Sequence, residues 1–240
     1  MTISQLIIEQ EYLNNKIQNE FKPLYGEMNR PIVDGPFDFL KYFNSKLKLF
    51  FILEEAKRIE TNNVFQHEAK DLKHVLIDTN TNIDIDSLNY NFEIYHFLKL
   101  TTDLINEKQH SLASYSINNM GLIFLNKIPN NFSNDNYSFK NPVPSEIIKE
   151  YQNKYLYLII DQLAFYKPNF VVCMKKTFKA ISTTFIDYDD TKINYEIKYI
   201  ATYYDKTTDC NYIIVSDSIS SFKIMGGYIV DFILRNIEKK

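Results

Sequence analysis

Polar and charged residues follow directly on three short apolar runs. Leu47-Lys48-Leu49-Phe50-Phe51-Ile52-Leu53, with six of seven residues apolar, turns abruptly into Glu54, Glu55 and Lys57. Met120 to Leu125 opens into Asn126 and Lys127, and Phe170 to Met174 is followed by Lys175, Lys176 and Lys179. Apolar runs of this kind suit strands buried on both faces of a parallel sheet. In open α/β sheets ligands bind just past the carboxyl ends of such strands. Carboxylates and lysines that share this edge stand where chemistry is expected, and clustered lysines there suit phosphate.

Each residue also has a plain structural reading. Glu55 can pair with Lys57 in a loop, Phe124 can be core, and Asn126 can cap a turn. Lys175 and Lys176 can be a solvated strand end. His67, Asp71 and His74 share one face of a helix read over 64–76. That trio reads as a solvated face, because no HExxH or similar spacing supports a metal. Cys173 and Cys210, the only cysteines, are too far apart for a CxxC site, and Cys173 reads as a buried thiol. With 5 Gly and no GxGxxG, P-loop or GxSxG, a phosphate-cradling glycine loop is not expected. No metal and no cofactor is expected.

The elements that position these residues can be read from periodicity. Residues 2–21 carry Ile3, Leu6, Ile7, Leu13, Ile17 and Phe21 at helical spacing. Residues 22–36 are broken by Pro and Gly and read as a loop. A strand over 47–53, a helix from Phe92 to Ile105 and a strand over 120–125 follow. A long helix then runs to about Tyr166 and ends at Pro168, before a strand over 170–174. Ile193, Tyr195, Ile197 and Tyr199 alternate as in a half-exposed strand. Asp205 to Asn211 reads as a turn, Tyr212 to Val215 as a strand, and 225–237 as a last helix. The pattern predicts a single domain over 1–240, a three-layer α/β/α sandwich around a mainly parallel sheet of four to five strands.

Composition narrows the class. The 240 residues are 45% hydrophobic and 24% charged, and 27 basic against 30 acidic residues give a net charge of −3. That argues against a chain coated in nucleic-acid contacts, though not against a local basic cleft. Met1 to Glu11 lacks the layout of a signal peptide, and no apolar run approaches membrane-spanning length. No membrane association and a cytoplasmic location are expected.

The order of blocks resembles the uracil-DNA glycosylase-like superfamily, above all its divergent bacterial members. Val33-Asp34-Gly35-Pro36, the strand to Leu53 and Glu55-Ala56 resemble its opening. Gly121 to Pro129, an apolar strand closing on Lys127, resembles the next block. Tyr155 to Cys173 resembles the third, and Val215 to Ser221 stands where the family places a His-Pro-Ser-like loop. The resemblance spans about residues 31–237 and implies excision of a deaminated base by hydrolysis of its N-glycosidic bond. It implies that a nucleotide flips into a pocket at the strand ends. There Glu55 orients water, Phe124 stacks on the base and Asn126 reads its edge. Lys127, Lys175, Lys176 and Lys179 hold phosphates of DNA. Phe124 replaces an Asn of relatives, and Ser216-Asp217-Ser218 lacks their frequent His, leaving Asp217 as that loop's catalytic candidate. The alternative is a catalytically inactive member of the fold that binds nucleic acid or a protein partner. A small-molecule hydrolase on another α/β sheet has no nucleophile motif behind it.

Overall fold

The computed structural model describes residues 2–21, 34–59, 70–71, 89–109, 112, 114–130, 146, 150, 153–197, 199–216 and 220–237. Its strands are β1 (Gly35–Pro36), β2 (Leu49–Ile59), β3 (Lys70–Asp71), β4 (Met120–Asn130), β5 (Phe170–Met174), β6 (Asn194–Ile197), β7 (Ile200–Asp205) and β8 (Cys210–Val215). The helices among the described residues are α1 (Ile3–Phe21), α2 (Phe39–Asn44), α3 (Asn89–Lys108), α4 (Leu156–Tyr166), α5 (Lys175–Ser182) and α6 (Ser220–Ile237). The strand order is β1-β4-β2-β5-β8-β7-β6, with β3 paired to β2.

The chain is thus α/β with a mixed sheet. β2 pairs with β5, and β5 with β8, in parallel, whereas β7 runs antiparallel to both β8 and β6. This corrects the expected mainly parallel sheet of four to five strands. The connections supply the reason. Only residues 206–209 separate β7 from β8, and two residues separate β6 from β7. A parallel pair needs a crossover of about a dozen residues or more. Asp205 shapes the 206–209 turn by accepting from the Thr207 N–H at 3.0 Å and the Thr208 hydroxyl at 2.6 Å. Asp209 completes it in the left-handed region, at φ 52.

The chain falls into two compact units. One comprises Met1–Gly35, Leu53–Ile83 and Ile123–Phe165; the other comprises Pro36–Ile52, Asp84–Leu122 and Tyr166–Lys240. In the second unit, the near-continuous apolar character of β2 has a direct cause. Successive strand residues face opposite ways. Phe50 stacks on Tyr166 at 5.2 Å and meets Tyr42 edge-on at 5.1 Å, whereas Phe51 meets Phe97 of α3 edge-on at 5.4 Å. Each face has its own aromatic partner, so neither tolerates alternation with polar residues. Gly121 is needed here, because a Cβ at that position would run into the Phe50 ring. On α3 and α6, Lys108 and Asp231 form an ion pair at 2.6 Å.

In the first unit, α1 buries Leu13 and Ile17, and its Lys16 pairs with Asp161 of α4 at 2.7 Å. The far end of β2 pairs with β3, Arg58 opposite Asp71 and Ile59 opposite Lys70. This corrects the helix read over 64–76: at Lys70–Asp71 the backbone is extended, drawn into antiparallel pairing by a longer β2. His67 and His74 lie outside the described residues, as does most of the loop read over 22–36.

Candidate functional site

The lysine cluster is set by an abrupt change of backbone. β5 is buried from Phe170 to Cys173, ends at Met174, and passes without a loop into α5. Thr177, Phe178, Ile181 and Ser182 form the buried face of α5, leaving Lys175, Lys176 and Lys179 exposed. Phe178 anchors that face against Tyr203 of β7 and Tyr212 of β8, each at 5.6 Å between ring centroids. The lysines therefore point away from the sheet because the other side of the helix is bound to it.

The start of α5 is electrostatically unusual. Met174 occupies the N-cap position and makes no side-chain cap bond, and the first turn carries no acidic residue. The first backbone N–H groups of a helix lack partners within it, and the helix dipole places positive charge there. Capping side chains or acidic residues ordinarily answer that charge. Here Lys175 and Lys176 add to it instead, whereas Lys179 lies in the last turn. Such a turn attracts an anion. Met174 pairs with Val215 in parallel register, so Ser216 leaves the same carboxyl edge of the sheet. The Ser216 N–H donates to the Tyr199 carbonyl at 3.0 Å. Asp217, the catalytic candidate of that loop, lies outside the described residues.

Glu54 and Glu55 are not past the end of their strand. β2 continues through them and Lys57 to Ile59. Likewise Asn126 and Lys127 lie inside β4, which runs to Asn130. These placements correct the sequence-based strand ends, because an extended ladder does not stop where apolar residues stop. Glu55, Phe124, Asn126 and Lys127 belong to the first unit, and Lys175, Lys176 and Lys179 to the second. The Phe124 ring is only 1% exposed. A ring enclosed to that degree offers no open face to a base.

A residue without an assigned role in the sequence reading stands out in the first unit. Asp34 is 1% exposed. Its Oδ2 accepts the Phe124 backbone N–H at 2.6 Å, and its Oδ1 accepts from the Gln162 side-chain amide at 2.6 Å. Burying a carboxyl group is costly unless its oxygens are matched by donors. The signal in the sequence is an acidic residue directly before Gly35-Pro36. The arrangement secures the path of β4 at Phe124, and it places a carboxyl group within a core.

Other chemistry is limited. Burial pushes the Cys173 thiol far above its usual range, so it does not supply a thiolate nucleophile. Among the described residues no group of three or more His, Cys, Asp or Glu could hold a metal ion. Among the described residues no helix is long and apolar enough to cross a membrane. Comparison with protein-family models, curated proteins and solved structures returned no match.

Proposed function

We propose that this chain is a divergent uracil-DNA glycosylase-like protein, built as a three-layer α/β/α sandwich, that binds DNA and excises a deaminated base. The observation that carries the binding half is the uncapped, lysine-bearing start of α5 at the carboxyl edge of parallel strands. The strand order adds support. β4 lies on one side of β2 and β5 on the other, so the chain reverses its direction of growth between β2 and β5. Ligands favour such a reversal point in open α/β sheets. Lys175, Lys176 and Lys179 would hold DNA phosphates, and in the other unit Lys127 would hold phosphate as well. Glu55 would orient the attacking water, Asn126 would read the base edge, and Asp217 would act from the last loop.

A second reading is a catalytically inactive member of the fold that binds nucleic acid or a protein partner. The enclosed ring of Phe124 favours it, since a stacking platform is then missing. The absence of a His from Ser216-Asp217-Ser218 favours it as well. Losing a donor to a departing base anion costs on the order of several kcal/mol in such reactions.

An excision assay on uracil-, hypoxanthine- and xanthine-containing DNA, run beside Glu55→Gln, separates the two. Release of one base by the native chain and its loss in Glu55→Gln supports the enzyme. DNA binding with no release from any substrate assigns the chain to the second reading. Equal release by both proteins removes Glu55 from the mechanism.

A further inference from the structure

We propose that Gly226-Gly227 is a hinge in α6, about which residues 220–225 unwind at the carboxyl edge of the sheet while residues 228–237 stay docked. The hinge stands apart from the DNA-binding reading and does not depend on it.

The pair lies inside an 18-residue helix, well clear of either end. Glycine gives up the most backbone freedom on folding. In a helix interior each one therefore costs about fivefold in the folding equilibrium relative to alanine. Gly226 has a packing reason. A Cβ there would stand 3.1 Å from Leu100 Cδ2 and 3.9 Å from the Phe97 ring, so its bare backbone lets α6 settle on α3. Gly227 has none: among the described residues, a Cβ there would meet nothing within 4 Å. Its backbone does not need glycine either, since Gly35 is the one described glycine with a positive φ. What Gly227 does supply is a weak point beside a tight contact. Sharp bends in helices gather at such small-residue pairs.

The part after the pair is anchored on two sides. Ile229, Val230 and Ile233 are all fully buried. Phe232 meets Phe170 of β5 edge-on at 6.5 Å, and Asp231 holds Lys108 of α3 at 2.6 Å. The part before the pair is tethered to the sheet edge, because only residues 216–219 separate Ser220 from the end of β8. β8 and β5 are parallel, so this is the edge from which α5 also starts. The Gly226 contact with Leu100 acts as the fulcrum. Residues 220–225 can then rearrange beside the strand ends while the core contacts of α6 persist. Such partial openings lie below global unfolding in free energy.

The test is native-state hydrogen exchange of the full ¹⁵N-labelled chain. Each helical N–H bonds the carbonyl four residues earlier. The amides of Ile224, Met225 and Gly226 therefore report on the part before the hinge, and those of Ile233, Leu234 and Arg235 on the part after it. The first set is expected to exchange through an opening of lower free energy than the second. Ile233→Val trims only the docked part. It should speed exchange of the second set about fivefold and leave the first set unchanged. Gly227→Ala should slow the first set about fivefold. Equal protection of both sets in the native chain overturns the hinge. So does equal acceleration of both by Ile233→Val, because α6 then opens as one piece. Exchange of the first set unchanged by Gly227→Ala also overturns it, because only the end of the helix then frays.

Discussion

Asp34 and Gln162 lie 128 positions apart and meet through a 2.6 Å hydrogen bond from the Gln162 amide to Asp34 Oδ1. The other carboxyl oxygen holds the Phe124 N–H, so one buried side chain joins the start of β1, the middle of β4 and helix α4. Asp34→Ala leaves two buried donors without this acceptor. The expected loss is about 2–3 kcal/mol of unfolding free energy. Gln162→Leu costs less, because it removes one donor and leaves the backbone bond in place. Urea denaturation of both variants checks the ranking, and equal stability of Asp34→Ala and the native chain would refute it.

Gly121→Ala is expected to destabilise by about 1–3 kcal/mol, since the new methyl meets the Phe50 ring in a packed core. Shortening the obstacle should recover part of that loss. The double variant with Phe50→Leu should therefore be more stable than the sum of the two single losses predicts. Strict additivity in a denaturation cycle would show that the two residues do not oppose each other.

Stability should fall in alkali. Burial holds the phenols of Tyr42, Tyr115 and Tyr212 well above their usual 10.0. A group whose folded pKa is raised stabilises fully below its unfolded pKa, and that contribution is lost as pH rises beyond it. Lys48 acts the other way as pH rises toward 10.5, because burial and then Lys167 lower its pKa. Three enclosed phenols outweigh one part-exposed amine. Urea midpoints should hold between pH 7 and 9 and decline above about 10. A flat profile to pH 11 would contradict the enclosure of these rings.

DNA affinity, if carried by the lysines of α5, should depend steeply on salt. Lys175→Ala and Lys179→Ala should each weaken binding to any sequence and lower the salt slope by about 1. Lys192→Ala, on an exposed turn outside α5 where Lys192 pairs with Asp189 at 3.3 Å, serves as the control. A slope unchanged by the α5 variants would move the DNA contact elsewhere.

The apolar half of β2 was legible in the sequence because burial on both faces leaves a continuous apolar run. Its second half, Glu54 to Ile59, was not, because backbone pairing continues through charged residues without an apolar signature. β7 was hidden for a related reason: Ile200–Asp205 mixes Thr and Tyr with apolar residues, yet all but Tyr204 are buried. The lysines after β5 were recognised as a strand-end cluster, but the helix that carries them was not, since eight residues span barely two turns. Asp34 was visible as part of an Asp-Gly-Pro element. Its burial depends on Gln162, a partner that local sequence cannot supply.

The direct passage from β5 into α5 fixes the rotational phase of that helix. With no spacer after Met174, a single residue inserted there turns every side chain of α5 by about 100°. Phe178 and Ile181 would swing off the sheet while a lysine turned toward it. The three cations are accordingly registered to the sheet like teeth on a gear, and this junction should admit substitutions but neither insertions nor deletions.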